Sequence, residues 1–168
     1  MKHSVKLKKD KCFGCTVCIK QCPTQAIRVY GGKSEIIDSR CIDCGECVRI
    51  CPNKSRYNKT DNLEKINDYK IKAAIVSPVI YGQFDDLLDI ETALDAVLSL
   101  GFDHVFETSI GADIYAKSAR EYIDKEEKSG GRKVISSSCP VVLRLMQTYY
   151  PDLIENIIPL KTPDEITA

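Results

Sequence analysis

With 168 residues, 43% hydrophobic and 29% charged, the chain has room for one ordinary domain or two small ones, and its composition excludes a disordered or fibrous polypeptide. No run is apolar and long enough to span a bilayer and no apolar leader opens the sequence, which predicts a cytoplasmic, reducing setting, free thiols and no membrane partner. The formal charge of zero hides a split: residues 1–60 carry 13 Lys/Arg against 5 Asp/Glu, and residues 61–168 carry 11 against 19, so the two parts are +8 and −8.

Cysteine organises the first part. Eight of the nine cysteines fall in two copies of C-x2-C-x2-C-x3-C-P. These are Cys12, Cys15, Cys18, Cys22 with Pro23, and Cys41, Cys44, Cys47, Cys51 with Pro52, related by a shift of 29 residues. The spacing is similar to the ligand run of bacterial two-cluster ferredoxins, in which the fourth cysteine reaches across to the other cluster. Three cysteines two residues apart on a tight loop can converge on three irons of one cube, and the fourth iron then needs a thiolate from elsewhere. The expected ligand sets are Cys12, Cys15, Cys18 with Cys51, and Cys41, Cys44, Cys47 with Cys22, holding two [4Fe-4S] clusters. Pro23 and Pro52 turn the chain after each crossing ligand. Zinc is the weaker reading, because its sites take two short-spaced pairs held apart by a longer stretch. Ile19, Ile27, Val48 and Ile50 are candidates for an apolar shell around the cubes.

Between the two runs, Ala26–Tyr30 and Ser34–Ile37 read as strands joined at Gly31-Gly32, a two-residue hairpin signal. The second copy lacks this pattern: residues 53–60 are polar and are expected to end the unit. Lys2, Lys6, Lys8, Lys9 and Lys11 flank the clusters, whose bound charge brings the region to roughly +4. They suit a docking face for an acidic redox partner better than nucleic acid.

The texture changes after a linker at 61–70. Ile71–Ser77 reads as a buried strand closed by Pro78, Asp85–Leu100 as an amphipathic helix stopped by Gly101, and Phe102–Glu107 as a strand. Ala112 to Lys128 reads as a helix, Lys133–Ser137 as a third strand, Val141–Tyr149 and Asp152–Ile157 as helices, and Thr162 or Asp164 as the start of another. The expected fold is an α+β ferredoxin-type two-cluster domain over 1–60, then an α/β domain with a partial parallel sheet over 71–168. Fewer than 100 residues are available for the second, so it is expected to be incomplete.

The later segments, in order, are Ser77–Gln83, Leu100–Thr108, Gly111–Asp113, Ser136–Pro140, Tyr150–Leu153 and Lys161–Pro163. This series resembles the start of the large-subunit catalytic domain of iron-only hydrogenases and their hydrogenase-like sensory relatives. The resemblance implies that Cys139 falls on a ligand position of the hydrogen-activating cluster. It puts Ser138 where a proton-relaying cysteine stands in active members, and Val141-Val142 where they have Gly-Trp. Three further cysteine ligands are needed there, and this chain has none, so it alone is not expected to split or make hydrogen. The other reading of Cys139 is a buried small hydrophobe at a strand end.

Remaining candidates have plainer explanations. His104 alternates with apolar neighbours and reads as a histidine satisfied in or beside a strand. Asp85, Asp86, Asp89 and Glu91 suit the positive end of a helix. Tyr149-Tyr150 reads as packing. The leading functional reading is an electron-transfer protein serving a redox partner. The alternatives are a redox-sensory module and a fragment of an active, ferredoxin-dependent hydrogenase.

Overall fold

A computed structural model of the chain describes residues 3–84 and 89–168. Lys2, Asp85, Asp86, Leu87 and Leu88 lie outside the described residues. Two compact units result, one formed by the chain up to Asp61 with Val141–Asp152, the other by Asn62–Pro140 with Leu153–Ala168. Among the described residues no helix is long and apolar enough to cross a membrane.

Apart from the ten-residue helix Pro140–Tyr149, which lies in it from Val141 on and matches the helix expected there, the first unit is built from short elements. Strand β1 (Val5–Leu7) is followed by a 3-10 turn at Lys9–Lys11, α1 (Val17–Lys20), β2 (Ile27–Tyr30), β3 (Lys33–Ile36), α2 (Glu46–Arg49) and β4 (Arg56–Asn58). Strands β2 and β3 form an antiparallel hairpin with Ile27 opposite Ile36 and Tyr30 opposite Lys33. Gly31 and Gly32 turn it at φ of +53° and +73°, the left-handed conformation that a tight hairpin requires and glycine adopts without steric cost. Strand β1 pairs antiparallel with β4, Leu7 opposite Arg56. This corrects the sequence expectation for residues 53–60. The polar run closes the second half of the repeat as a strand, which hydropathy alone does not reveal.

The 29-residue repeat is copied by the backbone. Left-handed residues recur as Gly14 and Asp43, Thr16 and Gly45, Gln25 and Lys54. Each of α1 and α2 begins directly after such a residue, Thr16 at φ +65° and Gly45 at φ +74°. Four of the six are not glycine, and that conformation costs free energy at a side-chain-bearing residue. The loops around the cysteines impose it in both halves.

The second unit opens with a 3-10 segment, Leu63–Asp68, inside the expected linker. Strand β5 (Ala73–Val76) lies parallel to β6 (His104–Glu107), with α3 (Ile90–Leu98) in the crossover. Asp89 caps α3 by accepting from Thr92 N–H at 2.7 Å, so this acidic residue serves a helix terminus as expected. Helix α4 (Thr108–Lys128) starts four residues earlier than the sequence predicts, running straight on from β6. The core gathers Tyr115, Ala119 and Ile158, with Tyr122, Val134, Leu160 and Ile166 packed against them. Helix α6 (Pro163–Thr167) crosses α4 where Gly111 sits, and a Cβ there would fall on Pro163 O and Thr167 Oγ1.

Three expectations fail in this unit. The strand expected to be buried over Ile71–Ser77 forms as β5, but of its four residues Ala74 alone is buried, and Ile71 and Ile75 are exposed. The third strand over Lys133–Ser137 shrinks to a single parallel bridge, Ile135 to Ile157. Polar side chains compete for the backbone there: Ser137 N–H donates to Tyr115 Oη at 2.9 Å, and Ser137 Oγ donates to the Leu160 carbonyl at 2.8 Å. The helix expected at Asp152–Ile157 is a 3-10 segment, Pro151–Asn156, which delivers Ile157 to that bridge.

Candidate metal centres

The short loops of the first unit bring the eight cysteines around two cavities. One is lined by Cys12, Cys15, Cys18 and Cys51; the other by Cys22, Cys41, Cys44 and Cys47. Each thus takes three cysteines from one run and the fourth from the other. Cys18 and Cys47 sit in α1 and α2, one turn of helix apiece, which carries the chain from the third cysteine to the crossing one.

Both crossing sulfurs accept a backbone hydrogen bond from the residue four positions on. Ala26 N–H donates to Cys22 Sγ at 3.2 Å, and Ser55 N–H to Cys51 Sγ at 3.3 Å. Such bonds stabilise a thiolate and, in a cluster, negative charge on sulfur.

Electrostatically the cavities differ. Burial opposes ionisation of Cys12, but the Ser34 hydroxyl, the backbone of Ser34 and Gly14, and the Arg56 guanidinium outweigh it and bring the thiol down to about 7. Cys51 is also lowered: burial opposes, while the Ser55 hydroxyl and the backbone of Arg56, Ser55 and Asn53 prevail. In the second cavity burial wins. It pushes Cys47 up to about 11, against Arg56 and helped by the neighbouring thiols, and it raises Cys41, where the charges of Asp43 and Arg144 act in opposite senses.

The donor set fits iron–sulfur clusters. Four thiols and a backbone N–H donor per cavity are what such a cluster takes. Thiolates around one zinc, at a Zn–S distance of about 2.3 Å, would stand about 3.8 Å apart. Among the described residues, no three His, Cys, Asp or Glu gather as a single-ion site. A further sign is Arg56. Its Nη2 donates to Ser34 O and Ser34 Oγ, both at 2.9 Å, yet its Nε–H is sealed from solvent without a partner in the protein. A buried guanidinium donor left over beside a cysteine-lined cavity matches an acceptor supplied by the bound group.

The apolar shell is only partly the expected one. Ile27 is buried and lines the second cavity, joined by Val5, Ile36 and Ile42; Ile19, Val48 and Ile50 are half-buried and line neither. Cys139 is exposed, which overturns the buried-hydrophobe reading. His104 is exposed on β6 with its ring against Phe106, centroids 6.3 Å apart. Tyr149 serves packing, as expected: its hydroxyl donates to the carbonyl of Thr24 at 2.8 Å.

Sequence reasoning missed Arg56, Ser34 and Ser55, three of the polar residues lining the first cavity. One signal would have found them. Moving back 29 places aligns them with Ile27, Val5 and Ala26, three of the apolar residues lining the second.

Comparison with known proteins gives two family matches. The model described as iron only hydrogenase large subunit, C-terminal domain, matches residues 70–168, and that described as 4Fe-4S dicluster domain matches residues 4–52. Over 72 residues the chain is 35% identical to iron hydrogenase 1 of Clostridium pasteurianum, covering 42% of this chain and 12% of that protein. Over 178 residues it is 30% identical to the periplasmic [Fe] hydrogenase large subunit of Nitratidesulfovibrio vulgaris, covering 96% of this chain and 42% of that protein. The chain therefore spans less than half the length of either curated relative.

Proposed function

From the premise that this chain belongs to the iron-only hydrogenase large-subunit family, we propose that its cysteine-rich unit binds two [4Fe-4S] clusters and relays single electrons for a redox partner. The observation that carries this reading is the make-up of the two cavities, each lined by three cysteines of one run and the fourth of the other. Cys12, Cys15, Cys18 and Cys51 would hold one cluster, and Cys41, Cys44, Cys47 and Cys22 the second. When bound, each cluster supplies a site that takes up and releases one electron.

The protein's own residues bind, orient and shield. Ala26 and Ser55 donate backbone N–H bonds to the crossing sulfurs and so fix their direction. Val5, Ile27, Ile36 and Ile42 keep water from the second cavity. Lys33 reaches the Cys12 carbonyl and ties the hairpin to the first ligand loop. The basic residues around the first unit favour an acidic partner.

Cys139 is the one cysteine of this chain beyond the eight, and the role proposed for the cysteine-rich unit is electron relay. Eight free thiols require a reducing compartment for cluster loading, for which we propose the cytoplasm. The test is anaerobic reconstitution. About eight irons per chain, by the two-cube ligand count, and two reducible clusters by electron paramagnetic resonance are expected. A protein that takes up zinc in place of iron, or stays colourless, refutes the reading.

A further inference from the structure

The 29-residue repeat makes the two cavities equivalent by backbone, and three positions break that equivalence in one direction. Val5, Ala26 and Ile27 line the second cavity, while their counterparts Ser34, Ser55 and Arg56 line the first. The pairing register confirms the equivalence: Leu7 faces Arg56 across one sheet, and Ile36 faces Ile27 across the other, each member 29 residues from its counterpart. An apolar trio has become a hydrogen-bonded polar one.

The polar trio is built into the site. Arg56 is only 4% exposed and Ser34 3%, so neither is a solvated surface residue. Ser34 Oγ contacts Cys12 Sγ at 3.5 Å, Ser55 Oγ contacts Cys51 Sγ at 3.1 Å, and Arg56 Nη2 is locked to Ser34 with its Nε–H left over. A buried guanidinium keeps its charge under all ordinary conditions. Charged groups around the second cavity run the other way. Asp43 and Glu46 line it; Glu46 is neutralised in part by Arg49 at 2.6 Å, and Arg144 of α5 (Pro140–Tyr149) stands by Cys41 in an adjoining cleft.

A reduced cluster carries one more negative charge than an oxidised one. Cys22 Sγ in the second cavity also has a backbone N–H and, at 3.7 Å, the Thr24 hydroxyl. The first cavity has the closer hydroxyl on its crossing sulfur, a further one on Cys12 and a buried guanidinium, which stabilise that extra charge where carboxylates do not. Resting on the two-cluster reading above, we propose that the repeat is deliberately unequal in potential, with Arg56, Ser34 and Ser55 making the cluster of Cys12, Cys15, Cys18 and Cys51 the stronger electron acceptor. In a chain holding one electron from a donor, that electron resides on this cluster. Transfer from the cluster of Cys41, Cys44, Cys47 and Cys22 oxidises that one by one electron, reduces the first by one, and runs downhill. Arg56 acts through the cluster's surroundings as a positioning residue for charge and touches no substrate.

A redox titration of the full chain loaded with iron and sulfide, followed by electron paramagnetic resonance, tests this. The wild type is expected to reduce in two resolved one-electron steps. Arg56→Gln keeps a donor for Ser34 but removes the charge. It should weaken the higher-potential step by at least about tenfold, about 59 mV for one electron, and move the lower one in the same sense by clearly less, because the Arg56 charge also reaches Cys47. Arg56→Lys should restore most of the loss, which a merely structural role would not predict. Ser55→Ala leaves Arg56 untouched and should move the same step the same way by less, deciding the matter if the Gln variant fails to assemble. Coincident steps in the wild type, or variants that shift the lower-potential step as much as the higher one or shift neither, overturn the inference. Four irons per chain would instead refute the two-cluster reading on which it rests.

Discussion

The two compact units are stabilised by different means. The second has a 21-residue helix, an apolar cluster around Tyr115 and Ile158, and a capped terminal helix. The first has α5, two single-turn helices, two two-stranded sheets, and a short set of buried apolar side chains, among them Val5, Ala26, Ile27 and Ile42. A four-residue helix is far below the length at which helix forms unaided, and a two-stranded hairpin is marginal by itself. The first unit's eight cysteines line two cavities. The difference teaches that the first unit borrows its core: ligand bonds replace apolar burial, as in other small metal-dependent domains.

The strongest way to break this comparison is to remove the metal. Chelation under reducing conditions is expected to unfold the first unit while α4 stays helical. Hydrogen exchange should then show the β2–β3 hairpin losing all protection and residues 108–128 keeping theirs. A hairpin still protected after iron is gone would mean that the first unit needs no cofactor core. Next in size is a single ligand change. Cys22→Ser is expected to cost about half of the iron, from the centre shared with Cys41, Cys44 and Cys47, by the crossed ligand pattern. Loss from the centre of Cys12, Cys15 and Cys18, to which Cys22 is nearer in sequence, would mean that the halves do not exchange ligands.

How far the sequence exposes this arrangement differs along the chain. The cysteine spacing, the Gly31-Gly32 turn and the β5–α3–β6 order were legible, because each depends on local chemistry: ligand reach, positive φ, hydrophobic period. Strand β4 was not, since a buried Arg56 reads as polar tail to any hydropathy rule, and only its cavity makes burial tolerable. The third strand was over-read from Val134 and Ile135. Nothing local says that Tyr115, 21 residues before Ser136, claims the serine run that follows. Non-glycine residues in left-handed conformation were equally invisible. Thr16 and Gln25 are held there by the loops around the cysteines, not by their own preference.

Smaller changes sharpen the comparison by touching the second unit alone. Gly111→Ala is worth about 1–3 kcal/mol or more, because the added methyl meets the backbone carbonyl of Pro163, which a fixed helix start cannot easily move. Urea unfolding followed by α4 helicity should register the loss with iron content unchanged. A stable Gly111→Ala variant would show that α6 does not hold its close approach to α4.

The smallest effect expected concerns the cap of α6. Thr162 Oγ1 accepts from Glu165 N–H at 3.4 Å and donates to Glu165 Oε2 at 3.0 Å, while Thr162 N–H donates to the same carboxylate oxygen at 2.9 Å. Thr162→Ala removes both hydroxyl contacts and should cost about 1 kcal/mol at neutral pH. The same bonds, backbone first and hydroxyl second, hold the Glu165 carboxyl below its usual range, so their stabilisation is present above the ordinary carboxylate pKa and is lost as pH falls through the lowered one. The stability gap between wild type and variant should therefore narrow on acidification. The Glu165 bond to Thr162 N–H survives the substitution, so part of the pH dependence remains in the variant. A gap that stays constant down to pH values at which Glu165 is protonated would mean that Thr162 acts only through its hydrogen bond to the backbone.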